Sequence, residues 1–445
     1  MKSILVQLGI ALAVFIAALD TSITNTLLPV LADVFNISND LSIASVFIYQ
    51  LIMVAFTIPL MNYGKIKGLN QIFVVGIMVF ILSAAICGFA PTFSVFMAGR
   101  IGQALGATAI LGSYNAILKQ IVPKDKLGKW IGITALTIAL GLSLGPSMAS
   151  FLLQFIEWNW IFLVNIPIGI IALCFIWNQL PNQTTTDVNF NWKLNGMLAF
   201  ALSLLLIGLN LFKKQNNYGY AIIIIIIAII LLLYLYRTSK IKNYNIFPFE
   251  LVQQIRFIYP LMATVFVFTI QSIAYVGLPI VLYKHFEIAT VKMGYLISPW
   301  PLMGAFFAPL AGYLSDRVDA AKLSVMGLLV LGIGMVGITF SFPNNQNAYL
   351  VYAMLICGLG FGFFQAPNIK SIMHQVNEEE SGNASGLLAV FRVFGQTLGS
   401  IVVAYFMLNY EIKDWQFLYY FAGFLAFVGC IFLTFTLRHK KSLSP

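Results

Sequence analysis

YGYAIIIIIIAIILLLYLY occupies residues 218–236, and nothing in it is more polar than a tyrosine hydroxyl. A helix rises about 1.5 Å per residue, so a run of this length crosses the roughly 30 Å hydrocarbon core of a bilayer. Isoleucine and leucine fall on every face, so such a helix has no polar side to turn to water. The stretch reads as a membrane span.

Most of the chain follows it. Of 445 residues, 60% are hydrophobic and 9% are charged, and the mean hydropathy is +0.91. A soluble domain carries about 25% charged residues. The apolar runs predict fourteen spans, at 6–30, 42–61, 70–90, 93–117, 130–153, 159–178, 194–212, 218–236, 258–281, 293–313, 323–341, 348–368, 385–407 and 416–436. The expected fold class is an all-α polytopic membrane protein. Lys2 precedes the first run, but that run is too long for a signal peptide and meets no small-residue cleavage site, so it reads as a retained span.

An even number of spans puts both ends on one side. Of the 25 lysines and arginines, eighteen lie in the termini or in loops on their side. Five lie in the opposite loops: Lys213, Lys214, Lys284, Lys292 and Lys413. The positive-inside rule then places both termini in the cytoplasm. The net charge of +10 is thus a topology signal with lipid headgroups as its partners, and a nucleic-acid role is excluded. Cys87, Cys174, Cys357 and Cys430 lie in apolar runs at no metal or disulfide spacing and read as small buried hydrophobes. His285, His374 and His439 are scattered and imply no metal site. No GxxxxGK loop is present, which argues against ATP-driven work, and no catalytic constellation points to an enzyme.

A weak repeat runs along the chain. The glycine and basic loop near 61–69 has a counterpart in GYLSDR at 312–317, and GQALGATAILGSYNAI (102–117) resembles CGLGFGFFQAPNIKSI (357–372). Both offsets are close to 250 residues. The expected organisation is a six-helix bundle over 1–180, an inserted pair of spans with linkers over 181–257, and a second six-helix bundle with a short tail over 258–445. Parallel halves around a central cavity are a transporter plan.

Two basic residues remain, Arg100 and Arg392, both inside predicted spans with the acid Asp20. An ionisable group in hydrocarbon costs at least about 2.5–3.5 kcal/mol, so such groups face a cavity or a partner. Asp20 and Arg100 lie at depths differing by about 5 Å at about 1.5 Å per residue. A salt bridge, direct or through Gln103 or water, is within reach. It reads either as a structural lock between spans 1 and 4 or as a titratable pair. A carboxylate that loses its arginine in a low dielectric takes up a proton, which is one route to proton coupling. Arg392, with Gln396 in LLAVFRVFGQTLGS (387–400), either faces a cavity or snorkels to the interface. Gly141, Gly145 and Pro146 in ALGLSLGPSMAS (139–150) read as a close helix contact or hinge, or as ordinary packing. Gly312, Asp316 and Arg317 read as a cytoplasmic latch or a solvated turn.

These motifs resemble the major facilitator superfamily, and within it the fourteen-spanner drug:proton antiporters of the EmrB/QacA type. LDTSITNTLLP (19–29) is similar to the first-span motif, which adds Asn25 to Asp20. Arg100, Gln103 and Gly106 match the fourth-span signature, whose arginine the family implicates in proton transfer. Gly141, Gly145 and Pro146 match the fifth-span exporter motif. WNWIFLVNIPIG (158–169) and GNASGLLAVFRVFGQTLG (382–399) resemble the sixth and thirteenth spans. Departures occur as well. MNYGKIKG (61–68) has Lys65 and Ile66 where Asp-Arg is usual, so the first-half latch reads as altered or missing. Asp319 stands in place of a glycine, Ala149 and Ser150 in place of paired glycines, and Asn159 in place of an arginine.

The resemblance implies proton-coupled export of small amphiphiles by alternating access, with no cofactor beyond the proton gradient. Multidrug or metabolite efflux, a dedicated exporter such as one for a siderophore, an importer or facilitator, and a non-transporting scaffold or receptor are the readings to separate. The Asn-, Ile- and Lys-rich usage suggests an AT-rich bacterial genome, and the expected location is the bacterial cytoplasmic (inner) membrane. A Gram-negative host would allow a periplasmic adaptor and an outer-membrane channel as partners, and the expected transport unit is a monomer.

Overall fold

The computed structural model describes residues 2–153, 155–177, 179–181, 190–212, 217–242, 247–284, 290–341 and 347–441. The side chains of Asn25 and Pro146 lie outside the described residues. The described residues form seventeen α-helices. They begin with α1 (Lys2–Val34), α2 (Asn39–Lys67), α3 (Leu69–Gly88), α4 (Phe93–Ile121) and α5 (Leu127–Leu152). Next come α6 (Trp158–Leu163), α7 (Asn165–Ile176), α8 (Trp192–Leu211), α9 (Tyr218–Lys242), α10 (Phe249–Gln253) and α11 (Ile255–Lys284). The last are α12 (Thr290–Ile297), α13 (Pro299–Ser315), α14 (Ala320–Thr339), α15 (Asn347–Met373), α16 (Glu378–Asn409) and α17 (Gln416–Lys441).

Among the described residues, twelve helical stretches are long and apolar enough to cross a membrane, where the sequence predicts fourteen spans. The predicted span 293–313 is broken at Ser298 into α12 and α13, of 8 and 17 residues. Pro299 and Pro301 explain the break. A proline lacks the N–H that would continue the ladder and is accommodated in the first turn of a new helix. Helix α5, 26 residues long, also stands outside the twelve.

Helix α9 fits its sequence. Only 17% of its most apolar window is buried, against 72% for α11. It packs on α8, and α8 leans on α2, so the pair is peripheral and exposes Ile222, Ile226 and Ile230. Two large apolar cores hold the rest. One joins α1–α5 and α7–α10 and takes in the start of α11 and parts of α15 and α16. The other lies wholly within α11–α17. The first and last parts of the chain meet through α5 on α13 and through α16 on α2 and α4.

Candidate functional site

Asp20 lies in the middle of α1 and is 1% exposed, as is Arg100 on α4. The guanidinium Nη1 donates to Asp20 Oδ2 at 2.7 Å. Gln103, three residues along α4 and therefore on the same face as Arg100, completes the unit. Its Nε2 donates to Asp20 Oδ1 at 3.0 Å, and its Oε1 accepts from Arg100 Nη1 at 2.8 Å. The thiol of Cys87 donates to the same Oε1 at 3.3 Å. Both carboxylate oxygens are thus held, and the Arg100 Nε–H is left without an acceptor among the described residues. The guanidinium carbon stands 4.6 Å from the ring centre of Tyr49 on α2, a cation–π contact.

Tyr49 is also a wall of a cavity of about 940 Å³, counted with its open mouth. Helices α1, α2, α4 and α5 line one side of it and α11, α13, α15 and α16 the other. Arg392 and Gln396 both face this space, and among the described residues Arg392 is the one charged residue in its lining. Its guanidinium carbon lies 5.2 Å from the Phe268 ring centre, and its buried Nε–H has no acceptor among the described residues. The sequence reading missed Tyr49, Tyr275, Trp300 and the glutamines Gln50, Gln271 and Gln365, all of which line the cavity. Glutamines inside apolar runs were the available signal. The aromatics carried none, because the chain has 38 phenylalanines and 19 tyrosines.

The glycines govern helix approach. A methyl on Gly141 would stand 2.9 Å from the Leu19 backbone nitrogen, and one on Gly145 would collide with Ser22 Oγ. Helices α5 and α1 therefore cross with their backbones nearly touching, and Ser22 Oγ donates to the Gly141 carbonyl at 2.9 Å. Gly106 serves the contact of α4 with α3 in the same way, against the Gly76 carbonyl and the Phe80 nitrogen. At the other end of α5, a methyl on Gly312 would collide with the Gly128 carbonyl.

That end of the molecule is closed. Asp316 ends α13, and its two oxygens accept from the backbone N–H groups of Gly128 (2.9 Å) and Lys129 (3.0 Å) at the start of α5. A carboxylate there satisfies orphan donors and sits at the positive end of the helix dipole. Lys370, buried at the end of α15, pairs with Asp316 and donates to the Ser315 carbonyl at 2.6 Å. Arg317 stacks on Tyr313 at 4.6 Å instead of joining this pair, and Asp319 caps α14 through the Ala321 N–H at 2.9 Å. Across the same end, Lys65 faces Glu379 and Glu380 in the acidic first turn of α16, while Lys119 faces Glu378 and donates to the Val376 carbonyl. Leu69 and Met61 fill the space above Gly382 and Gly386. Just beyond α15, burial and then the ammonium groups of Lys370 and Lys119 hold the His374 imidazole below its ordinary range. Lys124 adds to this, and Asp316 opposes it.

The sequence model of the Major Facilitator Superfamily matches residues 10–400 and 261–445. The chain is 30% identical over 404 residues to the uncharacterized transporter YebQ of Escherichia coli strain K12, covering 90% of this chain and 88% of that one. It is 28% identical over 462 residues to the riboflavin transporter RibZ of Clostridioides difficile strain 630, covering 99% of each. The crystal structure of the human organic anion transporter MFSD10 shares its fold, with a TM-score of 0.66 at 12% identity over 97% of this chain and 98% of that one. A family match running from residue 10 to the end, relatives alike along nearly their whole length and a shared helical fold make this chain a member of the Major Facilitator Superfamily, a multi-pass membrane transporter of small molecules rather than an enzyme.

Proposed function

We propose that the protein exports small amphiphilic molecules across a bacterial cytoplasmic membrane in exchange for protons. In this reading α5 and the α12–α13 pair also cross the bilayer, which gives fourteen spans with both termini cytoplasmic. Residues 1–180 and 258–445 rock as two six-helix halves around the cavity, with the 181–257 pair outside them. The closed end at Asp316 is then cytoplasmic, and the cavity opens outward.

The observation that carries the reading is the buried Asp20–Arg100–Gln103 unit, parted from the cavity by Tyr49. The ion pair offers one acid that a proton can neutralise when the helices move apart. The helix α1 residues Ala18 and Thr21, next to Asp20 in the chain, line the cavity themselves. A shift of α1 against α4 would therefore alter the cavity and the ion pair together. Gly141 and Gly145 give α5 the close sliding contact with α1 that such a motion needs.

A second reading, a transporter dedicated to one planar metabolite, draws on the end-to-end match to RibZ and on the aromatic and amide lining of the cavity. Inverted vesicles holding an imposed proton gradient test the main reading. A panel of amphiphiles should discharge the gradient only when the protein is present, and a panel that accumulates at the same rate without any gradient would point to a facilitator instead.

A further inference from the structure

We propose that the cavity takes planar aromatic molecules carrying one negative group, with the rings against a wall of α11, α13 and α15 and the acid at Arg392, and that it rejects cations. This rests on reading the cavity as the transport site. Four aromatic residues form a continuous chain along one side. Tyr275 and Trp300 stand 5.4 Å apart between ring centres, Trp300 and Phe361 6.3 Å, and Phe361 and Phe268 5.8 Å. Arg392 sits over the Phe268 end of that chain. The wall thus offers face and edge contacts to a flat ligand, and a positive group waits at one end of it.

The charge at that end is not compensated by the protein. Asp20 pairs with Arg100 and Asp316 with Lys370, and among the described residues Arg392 has no ion pair. Among the described residues no aspartate or glutamate lines the cavity. Asp20, beyond Tyr49, has both oxygens engaged by Arg100 and Gln103. A cavity-facing guanidinium with a buried, unpaired Nε–H and no counter-ion is costly, and a ligand that brings one recovers that cost. Carboxylate, phosphate and sulfonate groups share the acceptor geometry a guanidinium fork recognises. The Trp300 indole N–H, on a side chain that is 0% exposed, also lacks an acceptor among the described residues, so a second acceptor on the ligand has a place to bind. A cation placed here would meet a like charge in a low dielectric with no acid to screen it.

The test is equilibrium dialysis of the purified full-length protein with three ligands of one shape: 2-naphthoate, 2-naphthamide and 2-naphthylmethylammonium. No proton gradient is applied, so the result is independent of whether Asp20 couples transport. The account expects naphthoate to bind about tenfold or more tighter than the amide, the size of a charge-assisted hydrogen bond, and the ammonium to bind weakest. Arg392→Gln should bring naphthoate and naphthamide level while leaving amide binding in place, which shows that the cavity is still formed. Ammonium binding equal to or tighter than naphthoate would overturn the proposal. So would naphthoate that fails to bind the unaltered protein, or an acid preference that persists in Arg392→Gln.

Discussion

Asp20, Arg100 and Gln103 form a unit in which each member is costly without the others. Removing one partner of a buried pair typically costs about 3–5 kcal/mol, because the other charge is left uncompensated. Arg100→Leu should therefore lower stability by that order, while Asp20→Asn with Arg100→Gln should recover much of the loss; urea or thermal unfolding in detergent reads both. Tyr49 is the link between this unit and the cavity. Tyr49→Leu removes a cation–π contact worth about 2 kcal/mol when desolvated. It should reduce proton-linked transport more than ligand binding, a split seen by comparing gradient-driven uptake with dialysis. Asp20 and Arg100 were legible in the sequence, because an ionisable group in an apolar run stands out. Tyr49 and Trp300 were not, because one aromatic among many gains its role only from what the fold sets beside it.

At the level of elements, charges of opposite sense come together at two places on the closed end. On one side a carboxylate, Asp316, enters the start of α5. On the other a lysine, Lys65, faces an acidic turn at the start of α16. The sequence reading took the lysine as a damaged latch, since it has no aspartate at the expected place. The acidic residues Glu378–Glu380, more than 300 positions away in the chain, supply the complement that local reading could not see. Lys65→Glu should repel that turn and open this end, whereas Lys65→Arg should not; the rate of cross-linking between cysteines placed on α2 and α16 measures it. The neutral form of His374 favours the closed arrangement, since its imidazole is held below the ordinary range there. That preference is fully present above the ordinary histidine value of about 6.5 and is lost as pH falls through the lowered value. Spin-label distances across this end should lengthen on acidification, and His374→Asn should flatten the response. The break between α12 and α13 was missed: the run at 293–313 was read as one span although Pro299 and Pro301 stand inside it.

For the whole molecule, the composition alone established a membrane protein of many helices, because hydropathy reports the solvent directly. The count was less secure, for it depends on where helices break and how apolar each remains. The cavity was the least legible feature. Eight helices line it, four from each part of the chain, and its glutamines and aromatics are adjacent only after both parts pack. If the closed end is cytoplasmic, a cysteine in place of Gln396 should react with a membrane-impermeant thiol reagent from outside the cell and not from inverted vesicles. The reverse pattern would invert the assigned orientation.

The central claim is that protonation of Asp20 drives the transport step. Proteoliposomes bearing the unaltered protein or Asp20→Asn can be compared in substrate exchange without a gradient and in accumulation driven by a pH difference. The account predicts that the variant, less stable for the loss of its ion pair, keeps exchange in the reconstituted protein and loses accumulation. Full pH-driven accumulation by Asp20→Asn would contradict it.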